Sequence, residues 1–244
     1  VMRLNRYIAR CGVASRRDSD SLITAGRVAV NGIVCQKLGT TVAPGIDVVT
    51  VDGEMIELPR LLYYKCYKPR GMVTTLDDPQ KRSSLADLLE ERGIPKGVAP
   101  AGRLDADSEG LLVLTNDGDL LQRLTHPGGE VEKVYRVLID RWPMESDLER
   151  LRAGVRCGDF TARALRVTRM GPQPQDNEHP QTGYWVEMAM GEGHKREIRE
   201  MMGAIKYRVL RLVRTAHGPI RTDTLKPGEI VELEDWEIRS LLGD

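Results

Sequence analysis

The residue that most invites a chemical reading is Asp105. It stands in "AGRLDADSEGLLVLTNDGDL", Ala101–Leu120, shortly after Arg103 and just ahead of the apolar run Leu111–Thr115, which reads as a buried strand. An acid at the mouth of a core strand can serve as a nucleophile, as a base, or as an electrostatic stabiliser of developing positive charge. A carboxylate at the edge of a core needs a positive partner to hold its charge. Arg103 in the same loop, and Arg196 and Arg199 in the downstream stretch "GEGHKREIREMM", are the available partners. On spacing alone a plainer role ranks first. "LDADSEG" reads as an acidic turn in which Asp105 or Asp107 caps backbone N–H groups.

Other chemistries lack their signatures. "GEGHKRE" starts like a dinucleotide loop, but it has no third glycine and no βαβ unit around it. There is no phosphate-binding loop with Gly-Lys-Ser/Thr and no G-x-S-x-G elbow. His126, His179, His194 and His217 are scattered, so no metal site is expected. Cys11, Cys35, Cys66 and Cys157 form no C-x-x-C pair and read as reduced thiols of a cytoplasmic protein. The first residues hold no signal-peptide core, and no apolar run reaches the length of a membrane span.

The elements that must position Asp105 can be read from the rest of the chain. With 244 residues and 41% apolar content, there is enough for one medium domain and one small one. In "RLNRYIARCG", Leu4, Tyr7, Ile8 and Cys11 recur at helical spacing, with Arg3, Arg6 and Arg10 on the other side. Ser15 is placed to cap a second helix that stops at Gly26. Asn31-Gly32 between apolar pairs signals a hairpin, and Asp52-Gly53 a further turn. Pro59 precedes a new apolar run, which puts a boundary near Arg60.

Beyond it, "LLYYKCYK" reads as a strand and Lys68–Gly71 as a turn. Helices are expected over "SSLADLLEERG", over "MESDLERLRAGV" with a cap near Ser146, and over "HKREIREMMGAI". Strands are expected over "VEKVYRVLID", "YWVEMAM" and "YRVLRLVRTAHGPI", and a mobile loop over "TRMGPQPQDNEHPQTG". Strands outnumber helices without alternating regularly with them. That pattern predicts an α+β fold on a mostly antiparallel sheet.

Zero net charge hides an uneven distribution. Arg3–Lys37 carries seven basic and two acidic residues, a net of +5, and Gly193–Arg221 eight and two, a net of +6. Leu104–Glu132 has seven acidic residues against one basic. Two basic segments far apart in the chain point to a polyanionic partner.

"RLNRYIARCGVASRRDSDSLITAGRVAVNG" resembles the S4-type RNA-binding domain, with its helix pair, "SRR", "AGRV" and "VNG" in order over about the first fifty residues. The resemblance implies that Arg3, Arg6, Arg10, Arg16, Arg17 and Arg27 meet RNA phosphates. "GRLDADSEGLLVLTNDGDL" is similar to the active-site motif of pseudouridine synthases, in the branch that modifies ribosomal RNA and carries an S4-type domain. "YKPRGMVTT", "DDPQKRSSLADLL", "RLTHPGGEVEKVYRV", "GEGHKREIREMM" and "VLRLVRTAHGPI" match in the same order. This reverses the ranking of the turn and catalytic readings of Asp105.

The resemblance implies that Asp105 is the catalytic aspartate, that Arg103 helps extrude the uridine, and that Tyr135 packs on the target base. It further implies that Arg199 pairs with Asp105 and that Leu210 lines the base pocket. His194, Lys195 and Arg196 fall in the stretch that holds the substrate, and His194 departs from the Arg frequent in relatives. The base must leave its stack to be reached. The reaction cleaves the base–sugar bond, turns the uracil and rejoins it through carbon, so it implies no cofactor.

The expectation is therefore an S4-type domain over residues 1–60 and a pseudouridine synthase domain over 61–244. The protein is expected to be a cytoplasmic monomer acting on ribosomal RNA or a pre-ribosomal particle, with large-subunit RNA ahead of small-subunit RNA. A non-catalytic assembly factor on the same fold is the rival; the presence of Asp105, Tyr135 and Arg199 together speaks against it. An S4-type methyltransferase or a tyrosyl-tRNA synthetase lacks its nucleotide-binding signatures here.

Overall fold

The computed structural model describes residues 1–126, 131–174 and 182–243. The chain divides into two compact units, Val1–Leu61 and Leu62–Asp244. All four cysteines are free thiols. Among the described residues no helix is long and apolar enough to cross a membrane.

In the first unit, the helix Leu4–Arg10 buries Leu4, Tyr7 and Ile8. Ser15 caps the helix Arg16–Thr24, its Oγ accepting from the Asp18 N–H at 3.2 Å. Asn31 and Gly32 both take positive φ, 52° and 80°, which turns Val28–Val30 back onto Ile33–Val34. These strands continue into Val49–Val51 and Glu54–Ile56 as one antiparallel sheet. Leu4, Ile8 and Ile23 from the helices meet Val28 and Val49 from the sheet in a single small core.

The second unit is built on a nine-stranded sheet. Its main order is Arg166–Gln173, Gly183–Met190, Lys133–Ile139, Val209–His217, Glu109–Thr115, Tyr63–Lys68 and Ile230–Glu232. Two short strands lie off this path, Ala99–Pro100 beside Glu109–Thr115 and Ile220–Arg221 beside Val209–His217. Pairing is antiparallel except at one junction, where Glu109 and Gly110 run parallel to Val213 and Arg214. Every residue of Glu109–Thr115 is buried because both faces of this strand are covered. Leu112 and Leu114 pack toward the helix Leu85–Glu91. Leu111 and Val113 pack toward the helices Gly118–Thr125 and Asp235–Leu242. The helices Glu145–Ala153 and Glu197–Ala204 cover the outer strands around Val137, Val186 and Met188.

The parallel junction requires a glycine. Gly110 sits at φ +105°, and a Cβ there would lie 2.8 Å from the Arg214 amide nitrogen and closer still to its carbonyl oxygen. Only a residue without a side chain lets the two backbones meet.

Several elements differ from expectation. The helix Glu145–Ala153 starts after Met144 and has no side-chain cap at its N-terminus, so Ser146 lies inside its first turn. The Tyr207 hydroxyl instead accepts the Met144 N–H at 3.2 Å, a tertiary substitute for a local cap. Part of the expected loop is strand: Thr168–Gln173 pairs with Gly183–Glu187, and Pro172 is tolerated because this strand lies at the sheet edge. Residues 175–181 of that loop lie outside the described residues. The downstream helix begins at Glu197 rather than at His194, because Arg196 takes a left-handed φ of 55°. The last long strand ends at His217, and Gly218 at φ 57° folds Ile220–Arg221 back on it.

Candidate active site

A cavity of about 610 Å³ opens where the Asp105 loop enters the parallel junction. Its walls come from that loop, from the strands that carry Tyr135 and Arg214, and from the stretch Gly191–Ile198. The loop is fastened on both sides of Asp105. Thr74 Oγ1 donates to the Leu104 carbonyl at 2.7 Å and accepts the Leu104 N–H at 3.2 Å. The Gly71 N–H donates to the Ala106 carbonyl at 2.6 Å. Lys68 supports this second strap from below, its buried Nζ donating to the carbonyls of Pro69 and Met72 at 2.9 and 2.7 Å. Burial pulls the Lys68 ammonium down to about 8, against the opposing pull of Glu109, Asp107 and Asp105.

The chain does turn at Asp105, but the turn is closed by main chain, with the Ser108 N–H donating to the Asp105 carbonyl at 3.0 Å. Among the described residues no backbone N–H donates to the Asp105 carboxylate. Asp107 supplies the turn's side-chain contacts. The two acids of "LDADSEG" are thus separated in role: Asp107 is committed to structure, while the half-buried Asp105 carboxylate lines the cavity with Arg196 Nη1 at 4.0 Å.

The cations sort differently from expectation. Arg199 does not pair with Asp105. Its Nη2 lies 3.3 Å from the Asp107 carboxylate and donates to the Asp107 carbonyl at 3.0 Å. Burial lowers the Arg199 guanidinium, and Asp107 opposes that shift. Arg196 makes two bonds of 3.2 Å to Asp107 and is the cation nearest Asp105. Arg103 and Lys195 line the cavity with exposed side chains. His194 also lines it, its ring stacked on Phe160 at 4.5 Å and bonded to Glu192 at 3.0 Å.

Tyr135 lines the cavity from the middle of its strand, half-buried between two parts of the core. Leu210 does not line it. The register between the Tyr135 strand and Val209–His217 slips between Leu138 and Ile139, so Leu210 is the extra residue of a bulge. On this strand the apolar residue that lines the cavity is Leu212, opposite Val137, and Arg214 follows it on the same face, opposite Tyr135. Leu212, Arg214, Lys133 and Asp107 were missed as site residues. Period-two spacing from Tyr135 points to Lys133, and the same alternation within "RVLRLVR" points to Leu212 and Arg214. Asp107 had no signal to separate it from Asp105.

In the first unit, Arg3, Arg16 and Arg17 are exposed, and Arg6 and Arg10 are half-buried. Arg27 is engaged by Asp52, its Nε donating at 2.8 Å.

Residues 63–204 match the family model described as RNA pseudouridylate synthase, and residues 2–48 match the S4 domain. An RNA pseudouridine synthase of Aquifex aeolicus is 36% identical, with 98% of this chain and 93% of the relative covered. A ribosomal large subunit pseudouridine synthase B of Bacillus subtilis is 34% identical, with 98% and 95% covered. A solved structure of a pseudouridylate synthase superposes with a TM-score of 0.63 at 24% identity, over 99% of this chain and all of the other, which shows the common fold.

Proposed function

The chain belongs to the RNA pseudouridylate synthase family and carries an S4 domain ahead of the synthase fold, and from that premise we propose that it converts a uridine of large-subunit ribosomal RNA to pseudouridine, with Asp105 as the catalytic group. The observation that carries the reading is the Asp105 carboxylate. It lies in the cavity wall, it does not cap the turn that bears it, and its flanking carbonyls are bonded to Thr74 and Gly71. A rigid turn aiming an uncommitted carboxylate into a cavity is an arrangement for chemistry rather than for folding.

In the reaction the bond from C1′ of the ribose to N1 of uracil breaks. The base turns, C1′ bonds to C5, and the proton on C5 is lost while N1 gains one. Asp105 can stabilise C1′ as positive charge develops or bond to it covalently. The Tyr135 ring offers the face on which the extruded base rests. Arg103, Lys195 and Arg196 hold the neighbouring phosphates, and the S4 domain holds RNA through Arg3, Arg6, Arg10, Arg16, Arg17 and Arg27. The choice of large-subunit RNA is supported by the name of the Bacillus subtilis relative. The site of action is the cytoplasm.

Two measurements test this. Pseudouridine mapped across ribosomal RNA, in cells with and without the protein, should lose one large-subunit site; loss of a small-subunit site alone would overturn the substrate. Asp105→Asn should form no pseudouridine in single turnover while binding RNA at least as well as the parent. Appreciable product from the Asn variant would remove Asp105 from the chemistry.

A further inference from the structure

Among the described residues, three polar atoms on residues lining the cavity are enclosed and have no hydrogen-bond partner: Ser108 Oγ, Glu197 Oε1 and Arg214 Nη2. Native interiors leave few such atoms, and each calls for an explanation. Arg214 is the most extreme. Its side chain is almost wholly buried, its Nε donates to the Leu111 carbonyl at 2.7 Å, and its Nη2 has no acceptor among the described residues. Its surroundings are cationic or neutral on one side. Lys133 is held down by burial and by Arg214, and the buried His217 is kept neutral by burial, Arg214 and Lys133. Glu197 is the carboxylate that acts on Lys133 there.

Arg214 also has a defined position. It is the direct cross-strand partner of Tyr135, and both line the cavity. Side chains in such a pair start about 5 Å apart on the same face of the sheet. Both side chains line one cavity, so a base lying on the Tyr135 ring shares that space with the Arg214 guanidinium.

The chemistry makes a donor at the edge of the base unusually useful. N1 and C5 of uracil flank C6, so moving the sugar from N1 to C5 turns the base about the axis through C6 and N3. That turn exchanges the positions of O2 and O4. A donor set at one carbonyl position meets an oxygen before the turn and again after it. We propose that Arg214 is that donor, holding one carbonyl oxygen of the uracil in each orientation and so retaining the detached base while it turns. The inference rests on the pseudouridine-forming reading above. It also predicts rejection of cytosine, in which the same turn brings an amine against the buried guanidinium.

The test uses the full chain and three ribosomal RNA fragments that differ only at the target nucleotide: uridine, 2-thiouridine and 4-thiouridine. Sulfur is a weaker acceptor than oxygen. Pseudouridine from the plain fragment is required by the functional reading itself, and its absence would refute that reading without reference to Arg214. With the parent protein, each sulfur should slow single turnover by about tenfold, the size of one hydrogen bond. Arg214→Met should be slow on all three fragments, with the sulfur effects reduced below about twofold. Undiminished sulfur effects in the variant, or none in the parent, would overturn the proposal. If circular dichroism shows Arg214→Met unfolded, Arg214→Lys keeps the charge and loses the forked nitrogens. Sulfur effects equal to the parent's in that variant would overturn it equally.

Discussion

Arg199 closes on Asp107 and leaves Asp105 to the cavity: the guanidinium holds the Asp107 carboxylate at 3.3 Å and its carbonyl oxygen at 3.0 Å. One side chain thus grips the turn that bears Asp105 by both side chain and main chain. Under the proposed function, Arg199 would act on the chemistry by fixing where Asp105 points.

Arg199→Met and Asp107→Asn should therefore each slow turnover by roughly ten- to a hundredfold, the scale of a small misplacement of a reacting group. The double variant should be no slower than the worse single one, since both changes release the same turn. Single-turnover rates on one RNA fragment give the comparison. Losses that multiply would mean that Arg199 acts independently of the turn.

Tyr135 divides into a ring and a hydroxyl. Tyr135→Phe should bind RNA nearly as the parent does. Tyr135→Ala should lose about 1–3 kcal/mol of binding, the worth of one base–aromatic stack. Equal losses in a filter-binding titration would transfer the role to the hydroxyl.

On the S4 domain, Arg16 and Arg17 are exposed at the start of their helix. Changing both to Ala should lower the salt dependence of RNA binding by about two phosphate contacts, with little effect on the turnover of saturated enzyme. Arg27 is a weaker contributor because Asp52 already engages it. Arg27→Ala should alter the slope less than Arg16→Ala does, and the reverse order in the same titrations would make the Arg27–Asp52 pair a switchable one.

Lys68 gives a pH signature. Burial sets its ammonium at about 8 in the folded protein, below the ordinary lysine value of 10.5. Between these values the unfolded chain holds a proton that the folded chain has released, so stability rises with pH across that window. Lys68→Met has no such group. The stability of the parent relative to Lys68→Met should grow from pH 7.5 to pH 9.5 in urea unfolding, whereas a constant difference would mean that Lys68 stays charged throughout.

Most of the scaffold was legible from local signals. Ser15 caps its helix, the helix expected within "SSLADLLEERG" forms over Leu85–Glu91, Asn31-Gly32 makes its hairpin, and Leu111–Thr115 is a core strand. What escaped depends on tertiary contact. The Tyr207 hydroxyl replaces a cap at Met144, and a left-handed Arg196 delays a helix. A bulge at Leu210 shifts the cavity-lining role to Leu212. The partner of Arg199 was also illegible, because Asp105 and Asp107 share one short turn and only packing decides which of them the helix reaches.

The parallel junction at Gly110 and Arg214 also dictates when the site comes into being. Its two strands are far apart in the chain, and joining them carries the entropic cost of closing a long loop. As the chain emerges from a ribosome, the S4 unit can pack first, since its core draws only on its own residues. Asp105 and Tyr135 emerge well before the strand that supplies Leu212 and Arg214 and joins their two halves of the sheet. The order of synthesis makes the protein an RNA holder before it becomes an enzyme.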